Sequence, residues 1–177
     1  MEGIADRVIR AAKLDPQVYE EVEADPRALN QAITVVIASG IAAGIGSIAQ
    51  SGLAGLFFGT IIALIAWYVW AFITYYVGTK WLPEPQTHAT HGELLRAIGF
   101  SSAPGLIRVL GVIPFLTNFV FIVSGIWMLA AMVIAVRQAL DYKSTARAIG
   151  VCLIGWAINI AIIWIFALIT RAAGAMT

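Results

Sequence analysis

The chain has 177 residues, of which 60% are hydrophobic and only 12% are charged, and its mean hydropathy is +0.88. A soluble globular domain carries about 25% charged residues, so this composition excludes a soluble fold and indicates an α-helical, multi-pass membrane protein. The net charge is +1, and the pattern gives no support to nucleic-acid binding. A single cysteine, Cys152, excludes an intramolecular disulfide.

Residues 1–26 form a charged leader without the apolar stretch of a signal peptide. Apolar residues recur at helical spacing from Ile4 to Ala12, which predicts an amphipathic helix lying in the membrane interface; a short solvated helix is the alternative. The basic side chains expected to anchor this helix to the lipid headgroups are Arg7, Arg10 and Lys13. Two Asp-Pro steps, at 15–16 and 25–26, each predict a helix start, because aspartate caps a helix and proline suits its first turn.

Five apolar segments follow, each long enough to cross the ~30 Å hydrocarbon core of a bilayer at about 1.5 Å per helical residue. The predicted spans are 29–49, 53–77, 92–111, 115–136 and 146–170. Pro104 predicts a bend or break in the third span. The predicted architecture is an all-α integral membrane helix bundle, with a cytoplasmic amphipathic leader over 1–26, a five-helix transmembrane domain over 27–172 and a short tail over 173–177.

Lysine and arginine are distributed unequally between the two ends of these spans. If the amino terminus is cytoplasmic, nine of the eleven basic residues lie on that side, and only Arg108 and Arg171 lie on the other. Short cytoplasmic loops carry the excess of positive charge, so we predict a cytoplasmic amino terminus and an external carboxyl terminus. Arg108 is expected to reach the lipid headgroups, and Trp81 is expected to anchor the cytoplasmic interface.

Small residues recur at a spacing of four in the first two spans. The four glycines predicted to form a helix-packing face are Gly40, Gly44, Gly55 and Gly59. This spacing lets two helix backbones approach closely in lipid, where close packing replaces the hydrophobic driving force. The face is expected to pack within the chain, with dimerisation as the alternative.

Two later loops return to the cytoplasmic side and carry most of the remaining charge. The residues expected to form a polar cluster there are Glu93, Arg96, Arg137 and Arg147. Thr90 and Glu93 have the spacing of a capping box, which predicts a helix start. His88 and His91 stand beside Glu93 and leave a metal site open as the weaker alternative.

The interior of the spans carries almost no ionisable side chain, whereas transport and intramembrane catalysis usually depend on such groups. We therefore expect a non-enzymatic protein without cofactor or metal that associates with lipid and with other integral membrane proteins or a second copy. Its role would be that of a scaffold, an accessory subunit or a bilayer-shaping protein. The main alternative is a small permease or channel for a neutral or lipidic solute, with a cavity lined by Asn118, Ser124, Asn159 and tyrosines.

Three stretches in the second half of the chain resemble the Yip family of membrane proteins, which is named for interaction with Ypt and Rab GTPases. They are Gly92–Pro104, Ile126-Trp127 followed by Arg137–Leu140, and Ser144–Ala148. They look like the family's glycine-and-aromatic segment ending in proline, its tryptophan-bearing fourth helix and the serine-to-arginine entry into its fifth. The leader with its two Asp-Pro steps looks like that of the short prokaryotic members.

The resemblance implies five spans with a cytoplasmic amino terminus, in agreement with the charge distribution, and a location in the prokaryotic plasma (inner) membrane. Family members that engage Rab proteins have a long cytoplasmic amino-terminal region and an aspartate-leucine-tyrosine-glycine-proline motif ahead of the first span. Neither is found in this sequence. A trafficking adaptor for small GTPases is therefore kept only as an alternative function.

Overall fold

The computed structural model describes residues 3–174, and it describes positions 162, 163 and 165–174 by their backbone alone. Within this range the chain forms seven α-helices. They are α1 (Ile4–Ala12), α2 (Pro16–Ala24), α3 (Ala28–Gly46), α4 (Ile48–Tyr76), α5 (His91–Phe100), α6 (Thr117–Ala139) and α7 (Thr145–Gly174). A π-helical segment, Val77–Trp81, extends α4, and a 3-10 helix, Ala103–Val112, follows α5.

Four helical segments are long and apolar enough to cross a membrane. They are Ala28–Gly46, Ile48–Trp81, His91–Val112 and Thr117–Ala139, and α7 adds a shorter apolar helix over Thr145–Ala161. The predicted all-α, multi-pass fold is therefore confirmed, while the fifth crossing stays a prediction. The end of the predicted tail, at 175–177, lies outside the described residues.

The helix boundaries follow local chemistry. The third predicted span is broken as expected, since α5 ends at Phe100 and the chain continues as a 3-10 helix with Pro104 in its first turn, where the missing N–H of proline does no harm. The reversal between the first two spans starts earlier than predicted, because α3 ends at Gly46. Gly52, with φ +63°, interrupts the helical geometry of α4 after its first turn, in a conformation that glycine adopts without steric cost.

The leader packs on the bundle through α1 and α2. Val18, Tyr19 and Val22 of α2 are fully buried, and the Tyr19 hydroxyl donates to the carbonyl oxygen of Ala11 at 3.0 Å. Trp127 of α6 donates its indole N–H to the Ala12 carbonyl at 2.8 Å. These contacts hold the leader against α5 and α6, and the position of α1 in the membrane interface stays a prediction.

Helix α4 is the least buried of the four candidate spans. In the apolar 18-residue stretch of each span, the buried share of the residues is 11% for α4, 44% for α3, 56% for α5 with its 3-10 extension and 28% for α6. Its exposed large apolar side chains, continuing into the π-helical segment, are Leu53, Phe57, Phe58, Ile61, Ile62, Ile65, Tyr68, Phe72, Tyr76 and Trp81. Helix α4 therefore presents a long apolar face to its surroundings.

Candidate functional site

The polar side chains gather at one end of the bundle, which we call the polar end: α1, α2, the segment 82–93, the end of α6 and the connection into α7. In its leader part, Arg7 lies 3.1 Å from Asp25 and donates to Gln31 at 3.0 Å. Arg10 pairs with Asp15 at 2.8 Å and forms a two-pronged contact with Glu21 at 2.7 and 2.9 Å. The three predicted headgroup anchors therefore differ in their contacts. Arg7 and Arg10 form ion pairs with carboxylates of the leader, whereas Lys13 is exposed.

The carboxylates of the leader respond to these contacts. The Arg10 hydrogen bond lowers the pKa of Asp15 below its ordinary value. The backbone N–H of Arg27, together with the Arg7 guanidinium, lowers the pKa of Asp25. Both groups therefore stabilise the fold as carboxylates, and this stabilisation is lost when acidification protonates them.

Arg96 joins α5 to the carboxyl end of α2. Its Nε donates to the carbonyl oxygens of Val22 and Glu23, both at 3.0 Å, and its Nη2 donates to Glu23 as well. A cation here also complements the negative end of the α2 dipole. Arg96 therefore fixes where the leader docks on the membrane domain.

Glu23 stands beside this junction without an ion-pair partner for its buried oxygen. Its Oε2 atom has no hydrogen bond within the described residues. Burial raises the pKa of Glu23 to about 8, and the nearby carboxylates of Asp141, Glu93 and Glu20 add to this rise against the opposing effect of Arg96. Glu23 is therefore a half-buried acid that keeps its proton near neutral pH.

A second group of contacts ties the α6–α7 connection to the segment after α4. Glu84 accepts a hydrogen bond from the backbone N–H of Lys143 at 3.0 Å and lies 3.5 Å from Arg147. These contacts, chiefly the Lys143 N–H, lower the pKa of Glu84. Tyr142 points its hydroxyl at the carbonyl oxygens of Gly78 (2.9 Å) and Leu82 (2.8 Å). Burial raises the pKa of Tyr142 to about 12, so the hydroxyl remains a donor.

The four residues predicted to form a polar cluster fall into these two groups. Glu93 and Arg96 lie beside α2, whereas Arg137 donates to the Tyr142 carbonyl at 3.2 Å and Arg147 to the Pro83 carbonyl at 2.8 Å. The partners that the sequence analysis missed are Glu23, Glu84 and Tyr142. The capping box is confirmed, since Glu93 and Thr90 exchange bonds of 2.8 and 3.3 Å between side chain and backbone.

His91 begins α5 and packs edge-on against the rings of Tyr68, Phe72 and Tyr75, at centroid distances of 5.1 to 6.2 Å. In the described part of the chain, no group of three metal-binding side chains forms around it. At the end of α4, Trp81 is exposed and contacts Tyr76, a position open to an interfacial role.

The four predicted packing glycines do not meet one another. A Cβ atom on Gly44 would lie 2.7 Å from the Cα of Leu56, and one on Gly40 would lie 3.3 Å from the Cα of Thr60, so both glycines let α3 approach α4 closely. A Cβ on Gly59 would meet nothing within 4 Å, and one on Gly55 would clash with Ser51 of its own helix. The use of this face between molecules stays a prediction.

A groove of about 550 Å³ lies between α3, α4, α6 and α7. Its polar lining residues are Ser39, Ser47, Ser102, Arg108 and Asn159, and its aromatic ones are Trp67, Trp70, Phe121 and Trp156. Of the residues named for the predicted solute cavity, Asn159 lines this groove. Asn118 is exposed, and Ser124 contacts Arg108 without lining the groove itself.

Arg108 differs most from its predicted role. Its place near the end of a span predicts that it reaches the headgroups, whereas in the structure it turns inward. Its Nε donates to Ser124 Oγ at 2.9 Å, and its guanidinium lies 5.3 Å from the centre of the Phe121 ring. The side chain is half-buried and lines the groove. A buried cation in a membrane span marks a functional position by default.

A family model for the Yip1 domain matches residues 14–167 of the chain. No curated protein and no solved structure matches it. The matched region covers α2 to α7, including the Arg96 junction, the Glu84–Tyr142 contacts and the groove. The chain is therefore a member of the Yip1 family of membrane proteins.

Proposed function

We propose that this protein is a five-span, non-enzymatic membrane protein that works by association, as a scaffold or accessory subunit of a membrane complex. The observation that carries the proposal is the exposed apolar face of α4. Its proposed occupant is a membrane-spanning helix of another integral membrane protein or of a second copy of the chain. Lipid covers the remaining apolar surface.

The length of this face supports a protein partner. Beyond the bend at Gly52, helix α4 and its π-helical extension continue to Trp81, and the exposed apolar side chains from Leu53 to Trp81 extend over about 42 Å. The hydrocarbon core is only ~30 Å thick. Without strong tilting, part of the apolar face therefore lies beyond the hydrocarbon, where large exposed apolar patches mark interaction surfaces.

The charges support the orientation that goes with this role. The polar end holds most of the basic residues, so it belongs on the cytoplasmic side by the positive-inside rule. In this orientation α7 is the fifth crossing and ends outside. Helix α1 lies at the cytoplasmic interface, where exposed Lys13 reaches the headgroups and Trp81 anchors the end of α4.

Site-specific photocrosslinking in the native membrane tests the proposal. A photoreactive phenylalanine analogue at Phe57 or Phe72 of α4 is expected to give a discrete protein adduct, whose identity separates a second copy from another protein. The matched control is the same analogue at Phe119 of α6, which is equally exposed and is expected to yield lipid adducts alone. Lipid adducts alone from both α4 positions would contradict association through α4.

A small permease for a neutral or lipidic solute is the second candidate function. The groove favours it, because Asn159, three serines and Arg108 give a largely apolar lining its hydrogen-bonding groups. Solute flux in proteoliposomes containing the purified protein alone would support this function.

A further inference from the structure

We propose that the groove binds one anionic glycerophospholipid of the surrounding bilayer, with its phosphate on Arg108 and an acyl chain along α4. This inference goes beyond association, since it concerns a bound lipid and not a protein partner. It rests on the charge of Arg108, on the dimensions of the groove and on its opening toward the bilayer.

The charge of Arg108 calls for an anionic partner. Its Nε is used by Ser124, which leaves the two Nη groups as donors, and in the part of the chain that the structure describes no carboxylate pairs with it. An uncompensated cation within a membrane span is costly. A phosphate oxygen pair matches the guanidinium fork and would form charge-assisted hydrogen bonds with it.

The dimensions of the groove suit an acyl chain. It follows α4 from Gly55 to Trp70, fifteen residues or about 22 Å, which exceeds the ~15 Å hydrocarbon depth of one leaflet. A methylene group occupies about the volume of a water molecule, roughly 30 Å³. The cavity of about 550 Å³ therefore has room for about 18 methylenes, the size of one lipid chain.

The opening of the groove favours a lipid over a water-soluble anion. Its rim includes Ile62, Leu129 and Trp156, which are all exposed on the outer surface of the bundle, where the bilayer surrounds the spans. A lipid can therefore enter the groove laterally from the bilayer, and its acyl chain stays in hydrocarbon throughout. Arg108 and Ser47 line the same end of the groove, near the end of α3, so the headgroup would lie toward the membrane surface opposite the polar end.

Tryptophan quenching tests the proposal directly, because Trp67, Trp70 and Trp156 line the groove. The purified full chain in detergent is titrated with phosphatidylglycerol, phosphatidylcholine or free fatty acid, each with brominated chains that quench indole fluorescence. We expect phosphatidylglycerol to bind at least about tenfold more tightly than phosphatidylcholine. Equal affinity for the two phospholipids would overturn the proposal.

Two variants separate the headgroup from the chain. Arg108→Gln is expected to remove the preference for phosphatidylglycerol, whereas Lys80→Gln, which removes an exposed cation of the π-helical segment, is expected to keep it. Gly59→Leu adds a side chain to the lining of the groove, at a position where nothing lies within 4 Å of the new Cβ atom. We expect it to weaken the binding of both phospholipids by about tenfold.

Each variant has an outcome that would refute the assignment. If Arg108→Gln binds phosphatidylglycerol as tightly as wild type, Arg108 is not the headgroup site. If Gly59→Leu binds it as tightly as wild type, the acyl chain does not lie in the groove. Because Gly59→Leu keeps Arg108, it remains informative if Arg108→Gln does not fold. If fatty acid binds as tightly as phosphatidylglycerol and with the same dependence on Arg108, the ligand of the groove is a single-chain anion and the phospholipid assignment is wrong.

Discussion

Replacing Gly44 by leucine is expected to destabilise the bundle by about 3 kcal/mol, seen as a lower midpoint of thermal unfolding in detergent. The new Cβ would lie 2.7 Å from the Cα of Leu56 and 2.9 Å from its Cβ, so the obstacle is the backbone of α4 and not the mobile end of a side chain. The two helices would have to separate, and packing is the main source of helix association in lipid.

Gly59→Leu is the matched control for this change. It introduces the same side chain at a glycine of the same predicted face, but its Cβ position is open. We expect its unfolding midpoint to stay within the range of ordinary surface substitutions, about 0.5 kcal/mol. Equal destabilisation by the two variants, or none by Gly44→Leu, would mean that the α3–α4 approach does not depend on Gly44.

Replacing Glu23 by glutamine is expected to stabilise the protein at pH 8 to 9 and to remove a pH dependence between about 4.5 and 8. The folded-state pKa of Glu23, about 8, lies above its ordinary value of 4.5, so the folded protein holds this proton more tightly than the unfolded chain. The stability associated with Glu23 is therefore fully present below pH 4.5 and is lost as the pH rises through 8. Because the side chain is half-buried, solvent screening weakens the effect, and we expect a loss of about 2 kcal/mol across this range.

The measurement is the unfolding midpoint of wild type and Glu23→Gln in detergent across pH 4 to 9. Asp6→Asn is the control, because Asp6 is an exposed acid of the same leader. We expect this control to follow the wild-type curve. A Glu23→Gln curve parallel to wild type above pH 5 would show that Glu23 does not carry the pH dependence. Both curves should fall at lower pH, where Asp15, Asp25 and Glu84 lose the charges that stabilise them.

The features predictable from sequence are those set by local or periodic signals. Long apolar runs locate the spans because lipid demands them, Pro104 breaks the third span because it lacks an N–H, and Thr90 with Glu93 starts α5 through bonds between near neighbours. Each of these signals depends on residues a few positions apart.

The features that the sequence could not show depend on which helix faces meet. Glu23 stands in an acidic run that suggests a solvated face, and only the docking of α2 on α5 places its carboxyl out of water. The place of Arg108 near the end of a span predicts a side chain that reaches the headgroups, but the side chain turns inward and donates to Ser124 of α6. Gly55 and Gly59 repeat the spacing of Gly40 and Gly44, yet they face Ser51 and the groove instead of α3.

The proposed function depends on five membrane crossings with the polar end in the cytoplasm. Cysteine accessibility in intact cells tests this topology, starting from a Cys152→Ala variant that carries one new cysteine at a time. We predict that an impermeant maleimide labels Gln50→Cys and Ile113→Cys from outside, labels His88→Cys and Lys143→Cys after permeabilisation alone, and that a tag after Thr177 is accessible from outside. Labelling of His88→Cys or Lys143→Cys in intact cells, or a carboxyl-terminal tag confined to the cytoplasm, would contradict it.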